Sequence, residues 1–132
     1  DRKKGKVSRS AKDKGFSGDG DGYGANVAAG DVDGDGRAEI IIGAGPDPRK
    51  PGQVTIVRIA DGLLNMESFM AYEGTGYGVY VSAADLDGDG KAEIITGPGP
   101  GPQNKSIVRI FRGDGTLMEE FQAYPDKVKY GV

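Results

Sequence analysis

The sequence predicts an all-β chain of four-stranded antiparallel units, about two and a half of them, and three observations carry that expectation. First, YGANVAAGDVDGDGRAEIIIGAGPDP from Tyr23 returns as YGVYVSAADLDGDGKAEIITGPGPGP from Tyr77 with most positions kept, and self-similarity at a fixed period marks a repeat architecture. Second, 24 glycines and 7 prolines in 132 residues call for many turns and short strands. Third, the apolar residues fall in short β-branched or alternating runs, and no stretch keeps a helical period.

Taken in order, the unit that starts at Tyr23 opens on the strand ANVAA, with Val27 and Ala29 on one side. An acidic loop follows, and then AEIII, whose β-branched run suits a buried strand. After a Gly/Pro stretch comes the strand QVTIVRIA, copied later as SIVRIFR, in which Arg58 and Arg109 recur as solvent-facing residues. Asp61-Gly62, and Asp114-Gly115 in the copy, supply the hairpin turn. MESFMAY and MEEFQAY close the two units. Four short strands in about 50 residues, repeated, have the form of a propeller blade.

The first aspartates of the acidic loops, Asp31 and Asp85, are 54 residues apart, and a third start, YGV, stands at Tyr130. RKKGKV from Arg2 matches RKPGQV from Arg49, so the start of the chain reads as the second half of an earlier unit. The expected organisation is 1–22 as the closing half of a preceding blade, 23–76 and 77–129 as full repeats, and 130–132 as the start of another. In this alignment Asp19 and Asp21 fall in a junction and not in a third acidic loop. A propeller needs about four to eight blades, so this chain does not close one alone. End blades also need covering. The expected partners are therefore the remaining blades of a larger propeller or further copies of the chain.

Composition narrows the chemistry. There is no cysteine and no histidine, which excludes disulfides, thiolate nucleophiles, Ser-His-Asp and Cys-His arrangements, and sites built on sulfur or imidazole. A net charge of −3 spread over a mixed surface makes no case for nucleic acid, and no segment is apolar enough to span a bilayer. The basic run Arg2, Lys3, Lys4, Lys6, Arg9, Lys12 and Lys14 reads as the solvated edge of a strand.

The acidic loops are DVDGDGRAE at 31–39 and DLDGDGKAE at 85–93. Three aspartates on alternate positions repel one another, and a hard dication relieves that repulsion. Calcium takes six to eight oxygens at about 2.3–2.6 Å. The expected ligands are Asp31, Asp33, Asp35, the Arg37 carbonyl and Glu39, and in the copy Asp85, Asp87, Asp89, the Lys91 carbonyl and Glu93, one Ca2+ in each set. An EF-hand is excluded because its twelfth position must be glutamate and its flanks helical, whereas Ile42 and Thr96 stand there between strands. Plain solvated Asp-Gly turns are the competing explanation, and two copies with matched glutamates argue against it.

On these residues the unit resembles the FG-GAP repeat, of the integrin α-like (VCBS) type. Tyr23-Gly24 and Tyr77-Gly78 stand for its aromatic-Gly pair, the acidic loops for its metal motif, and Gly43-Ala44-Gly45-Pro46 and Gly97-Pro98-Gly99-Pro100 for its last element. The Gly/Pro extension of that element and Pro98 in place of its alanine depart from the pattern. The resemblance implies an extracellular β-propeller in which calcium braces a hairpin. Extracellular calcium modules bind at about 10⁻⁴–10⁻³ M. At millimolar calcium such sites add only about 0.4–1.4 kcal/mol each.

Other features stay open at this level. The loops at 43–53 and 97–106 suit either ligand recognition or stiff connection. Tyr72, Tyr77, Tyr80 and Tyr124 can stack on sugars, while Tyr23 and Tyr77 fit core packing at blade junctions better. No carboxylate pair stands apart from the repeated ones, so the function expected is non-catalytic binding, adhesion or assembly outside the cell. The alternatives are a glycan-binding lectin, a calcium-dependent polysaccharide-degrading enzyme and a self-assembling structural subunit.

Overall fold

A computed structural model of the chain describes residues 22–124. The N-terminal half-unit except Gly22, with its basic run and the Asp19/Asp21 junction, lies outside the described residues, as does the third start at 130–132. Two four-stranded antiparallel sheets make up the fold, and there is no helix among the described residues. The first sheet is β1 (Ala25–Gly30), β2 (Glu39–Ala44), β3 (Gly52–Ala60) and β4 (Leu63–Tyr72), hydrogen-bonded in that order. The second repeats the order with β5 (Val79–Ala84), β6 (Glu93–Pro98), β7 (Ile107–Phe111) and β8 (Leu117–Gln122). Each acidic loop joins the first two strands of its sheet, where Gly30 pairs with Glu39 and Ala84 with Glu93.

The sheets stack, with β5 lying against β1, β2 and β3. Their core is shared: Ile41, Val54, Ile56 and Ala71 of the first sheet meet Val79, Ile94 and Phe111 of the second. Ile41 and Ile94 are fully buried, and each such side chain contributes about 1.5–3 kcal/mol by leaving water. Phe69 and Phe111 add a tilted ring pair at 4.8 Å. Alternation in β1 sends Ala28 toward this core and leaves Val27 68% exposed, because the opposite face of the first sheet has no sheet on it among the described residues.

Tyr72 fastens the sheets. It is 4% exposed, and its hydroxyl donates to the Ile107 carbonyl at 2.6 Å, with the Thr96 carbonyl at 3.0 Å alongside. Arg109 lies over its ring at 4.9 Å and donates to the Ala71 carbonyl at 2.7 Å. Arg109 is thus held between the sheets and also pairs with Glu120, rather than merely facing solvent. Tyr23, by contrast, is 41% exposed, and Tyr77 is only half-buried. The tyrosine that seals the blade junction is Tyr72.

The Gly/Pro segment after β2 works as a connector. Its Asp47 and Lys50 carbonyls accept the amides of Tyr77 and Gly78 at 2.8 and 3.1 Å, tying the first repeat to the start of the second. Gly78 has φ +69°, and a Cβ there would stand 2.1 Å from the Ala44 carbonyl oxygen, so both the bend and the approach require glycine. In the second repeat Asn104 does the fastening, donating to the Gly76 and Gly99 carbonyls, each at 3.0 Å.

The hairpins differ between the sheets. β3 and β4 join at Asp61-Gly62, both at positive φ as a type I′ turn requires. β7 and β8 join across residues 112–116, with the Gly115 amide on the Arg112 carbonyl and Gly115 at φ +88°. Because Ile40 pairs with Val57 and Ile94 with Phe111, Phe111 takes the place of Val57. The repeated IVRI is therefore not repeated in space: Arg109 stands where Thr55 does, and Arg112 is the counterpart of Arg58.

Candidate metal centres in the two acidic loops

The loops are held open by their own aspartates. Asp31 Oδ1 accepts the amides of Gly34 (2.8 Å) and Asp35 (3.1 Å), and its Oδ2 accepts that of Gly36 (2.8 Å). Asp33 Oδ1 takes the Asp35 amide at 3.1 Å, and Asp35 Oδ1 that of Arg37 at 2.8 Å. The second loop repeats this, with Asp85 on the amides of Gly88 and Gly90, Asp87 on Asp89, and Asp89 on Lys91. The tight coil needs left-handed backbone at its glycines, and Gly36 and Gly90 both have φ +87°.

Each coil delivers its acids to one point. Asp31, Asp33, Asp35 and Glu39 each offer an oxygen, and the four lie within 4.8 Å of one another; Asp85, Asp87, Asp89 and Glu93 do the same. The glutamates come from the first residues of β2 and β6 and are 3% and 2% exposed. Glu39 Oε2 accepts the Val32 amide at 2.9 Å and Glu93 Oε1 the Leu86 amide at 2.7 Å, while the other oxygen of each has no hydrogen-bond donor among the described residues. A buried carboxylate with one bare oxygen turned toward three further acids is costly without a cation. Burial pushes the Glu39 carboxyl above its ordinary range; the Val32 amide opposes this, and the charges of Asp33 and Asp35 add to it. The eight acids expected from the sequence are thus brought together in two sets, and the donor set, all oxygen with flexible carboxylates, fits a hard cation.

The loops also touch. The Ala92 amide donates to the Asp31 carbonyl at 2.7 Å, and the Lys91 stem lies across Gly34. A cleft of about 380 Å³ opens between them, lined among others by Asp33, Arg58, Asp89, Glu93, Arg112 and Asp114. Arg58 reaches Asp33 Oδ2 with Nε at 3.1 Å and Glu67 Oε2 with Nη1 at 2.8 Å, so it too does more than face solvent. Burial raises Asp33, but the Asp35 amide and the Arg58 guanidinium outweigh it and hold the carboxyl below its usual range. Asp87 is shifted the other way: burial raises it, the Asp89 amide opposes, and the neighbouring acids Asp89 and Glu93 add to the rise.

Arg58 as a partner of the first loop was missed from sequence because it lies 25 residues from Asp33 and looked like a simple recurrence. Its spacing from Glu67 across an Asp-Gly hairpin was the available signal.

Paired four-stranded antiparallel sheets, each with an acidic coil between its first two strands, define a chain of open propeller-blade repeats. Residues 23–57, spanning β1, the first acidic loop, β2 and most of β3, match the family model of the FG-GAP repeat. No curated protein and no solved structure matches the chain.

Proposed function

We propose that this chain is a non-catalytic propeller-repeat module for binding or adhesion outside the cell, braced by one Ca2+ in each acidic loop. The observation that carries the reading is the convergence of four acids, one of them buried, in each of two matched loops. Asp31, Asp33, Asp35 and Glu39 hold one cation with the Arg37 carbonyl; Asp85, Asp87, Asp89 and Glu93 hold the other with the Lys91 carbonyl. The cation neutralises the clustered charge and ties each coil to the strand that follows it. The FG-GAP match at 23–57 supports the binding role, and the weak affinity of such modules suits millimolar extracellular calcium.

The partners are further blades, in the same protein or in other copies of this chain. What favours them is the pair of sheet faces that carry no further sheet among the described residues. Phe121 and Tyr124, which follow the pattern of Phe69 and Tyr72, are about half exposed, and Val27 and Ile40 at the other end are 68% and 38% exposed.

Thermal melting with calcium and with chelator tests the proposal. Two sites worth about 0.4–1.4 kcal/mol each raise Tm by roughly 3–10 °C at millimolar calcium. Identical melting curves with and without calcium contradict it.

A further inference from the structure

We propose that Arg58 is a resident counter-charge that makes the two loops unequal, so that the loop at 85–93 fills with calcium before the loop at 31–39. The inference rests on the cation-binding reading above and concerns which residue sets the affinity of each site.

In the first loop both oxygens of Asp33 are engaged, Oδ1 by the Asp35 amide at 3.1 Å and Oδ2 by Arg58 at 3.1 Å. The guanidinium is anchored from behind by Glu67 and its side chain is only 23% exposed, so it is positioned rather than wandering. The Lys91 stem crosses the same loop at Gly34 and brings a second basic side chain to it. In the second loop Asp87 accepts the Asp89 amide at 3.2 Å, and no basic side chain forms an ion pair with Asp85, Asp87, Asp89 or Glu93 among the described residues.

The reason lies in the hairpins. β3 runs on to Ala60, which keeps Arg58 inside the sheet across from Asn65 and diagonal to Glu67. β7 ends at Phe111, so the counterpart Arg112 falls in the turn, where its amide is bound to the Thr116 carbonyl. From there Arg112, like the Lys91 ammonium, acts on Asp89 only through space.

A dication entering the first loop therefore meets a positive charge already on one of its ligands, and must share Asp33 or displace the guanidinium. A unit charge some 6 Å from a dication in a water-like dielectric weakens binding by about tenfold. Among the described residues the second loop has no ion-paired competitor.

The test is a calorimetric titration of the whole chain with calcium chloride, using variants that leave one loop intact. D31N/D35N retains the second site and D85N/D89N the first. The expected result is about tenfold tighter binding in the former. Adding R58Q to D85N/D89N is expected to tighten the first site about tenfold, whereas R58K, which keeps the charge, stays within about threefold of its parent. Equal affinities in the two single-loop proteins, a tighter first loop, or no gain with R58Q overturns the assignment of Arg58 and leaves the cation reading standing. Absence of calcium binding at both loops overturns the two together. The comparison of the single-loop proteins decides the matter even where R58Q does not fold.

Discussion

Val27 and Val81 stand at matching places in the two sheets, opposite Ile42 and Thr96. Val81 packs against the shared core, and Val27 is 68% exposed. The same holds one strand over, where Ile94 is fully buried and Ile40 is 38% exposed. Each blade presents one face to its successor and one to its predecessor. The first blade's trailing face and the second blade's leading face are the two halves of the junction that forms once inside the described residues. A repeat thus fixes the strands, but neighbours fix what each side chain is worth.

This contrast can be broken by paired substitutions. The largest difference is expected from Ile94→Ala against Ile40→Ala in denaturant unfolding. The first opens a cavity in the core and costs about 2–5 kcal/mol, while the second costs less than about 1 kcal/mol because its side chain is already partly in water. Similar losses would mean that Ile40 is covered in solution, by further blades or by another copy.

A smaller difference separates Tyr72→Phe from Tyr124→Phe. Losing the hydroxyl at position 72 leaves buried carbonyls on the second sheet without that donor, at a cost of about 1–2 kcal/mol. Tyr124 is 52% exposed, and its replacement is expected to stay within about 0.5 kcal/mol. Equal effects would place the tyrosine seal at both ends.

The connector loops sharpen the comparison through pH. The Arg49 side chain, with its own amide, holds the buried Asp47 carboxyl down at about 2. A carboxyl depressed below its ordinary 3.8 favours the folded state fully above pH 4, and that contribution is lost as pH falls from about 4 through 2. The second connector is fastened by Asn104, which does not titrate. Asp47→Asn is therefore expected to flatten the acid limb of a stability-versus-pH curve in that window, and Asn104→Ala to lower stability equally at every pH. An unchanged acid limb in the Asp47 variant would remove the ion pair from the account.

How much of this was legible in the residues depends on how local the signal is. The convergence of four acids in each coil was legible, because alternate aspartates, the glycines at positive φ and the returning glutamate sit within nine residues. The strand order was legible too, since Asp61-Gly62 forces a tight hairpin and the β-branched runs at 39–44 and 93–98 demand burial. The register of β7 was not. IVRI at 107–110 copies IVRI at 56–59, and only the pairing of Ile94 with Phe111 shows that the copy has slid along the sheet. Tyr72 was likewise invisible as the junction seal, because its partners Thr96 and Ile107 lie 24 and 35 residues away. Recurrence had pointed instead to Tyr23 and Tyr77. The role of the Gly/Pro loops shows only in space, where the Asp47 and Lys50 carbonyls take the Tyr77 and Gly78 amides and Asn104 reaches back to the Gly76 and Gly99 carbonyls.

The central claim, that four acids in each loop converge on one hard dication, is tested most directly by a crystal structure grown in calcium. The account predicts one spherical density peak in each loop, about 2.3–2.6 Å from oxygens of all four acids and of the Arg37 or Lys91 carbonyl. Water or empty space between those acids at saturating calcium would contradict it.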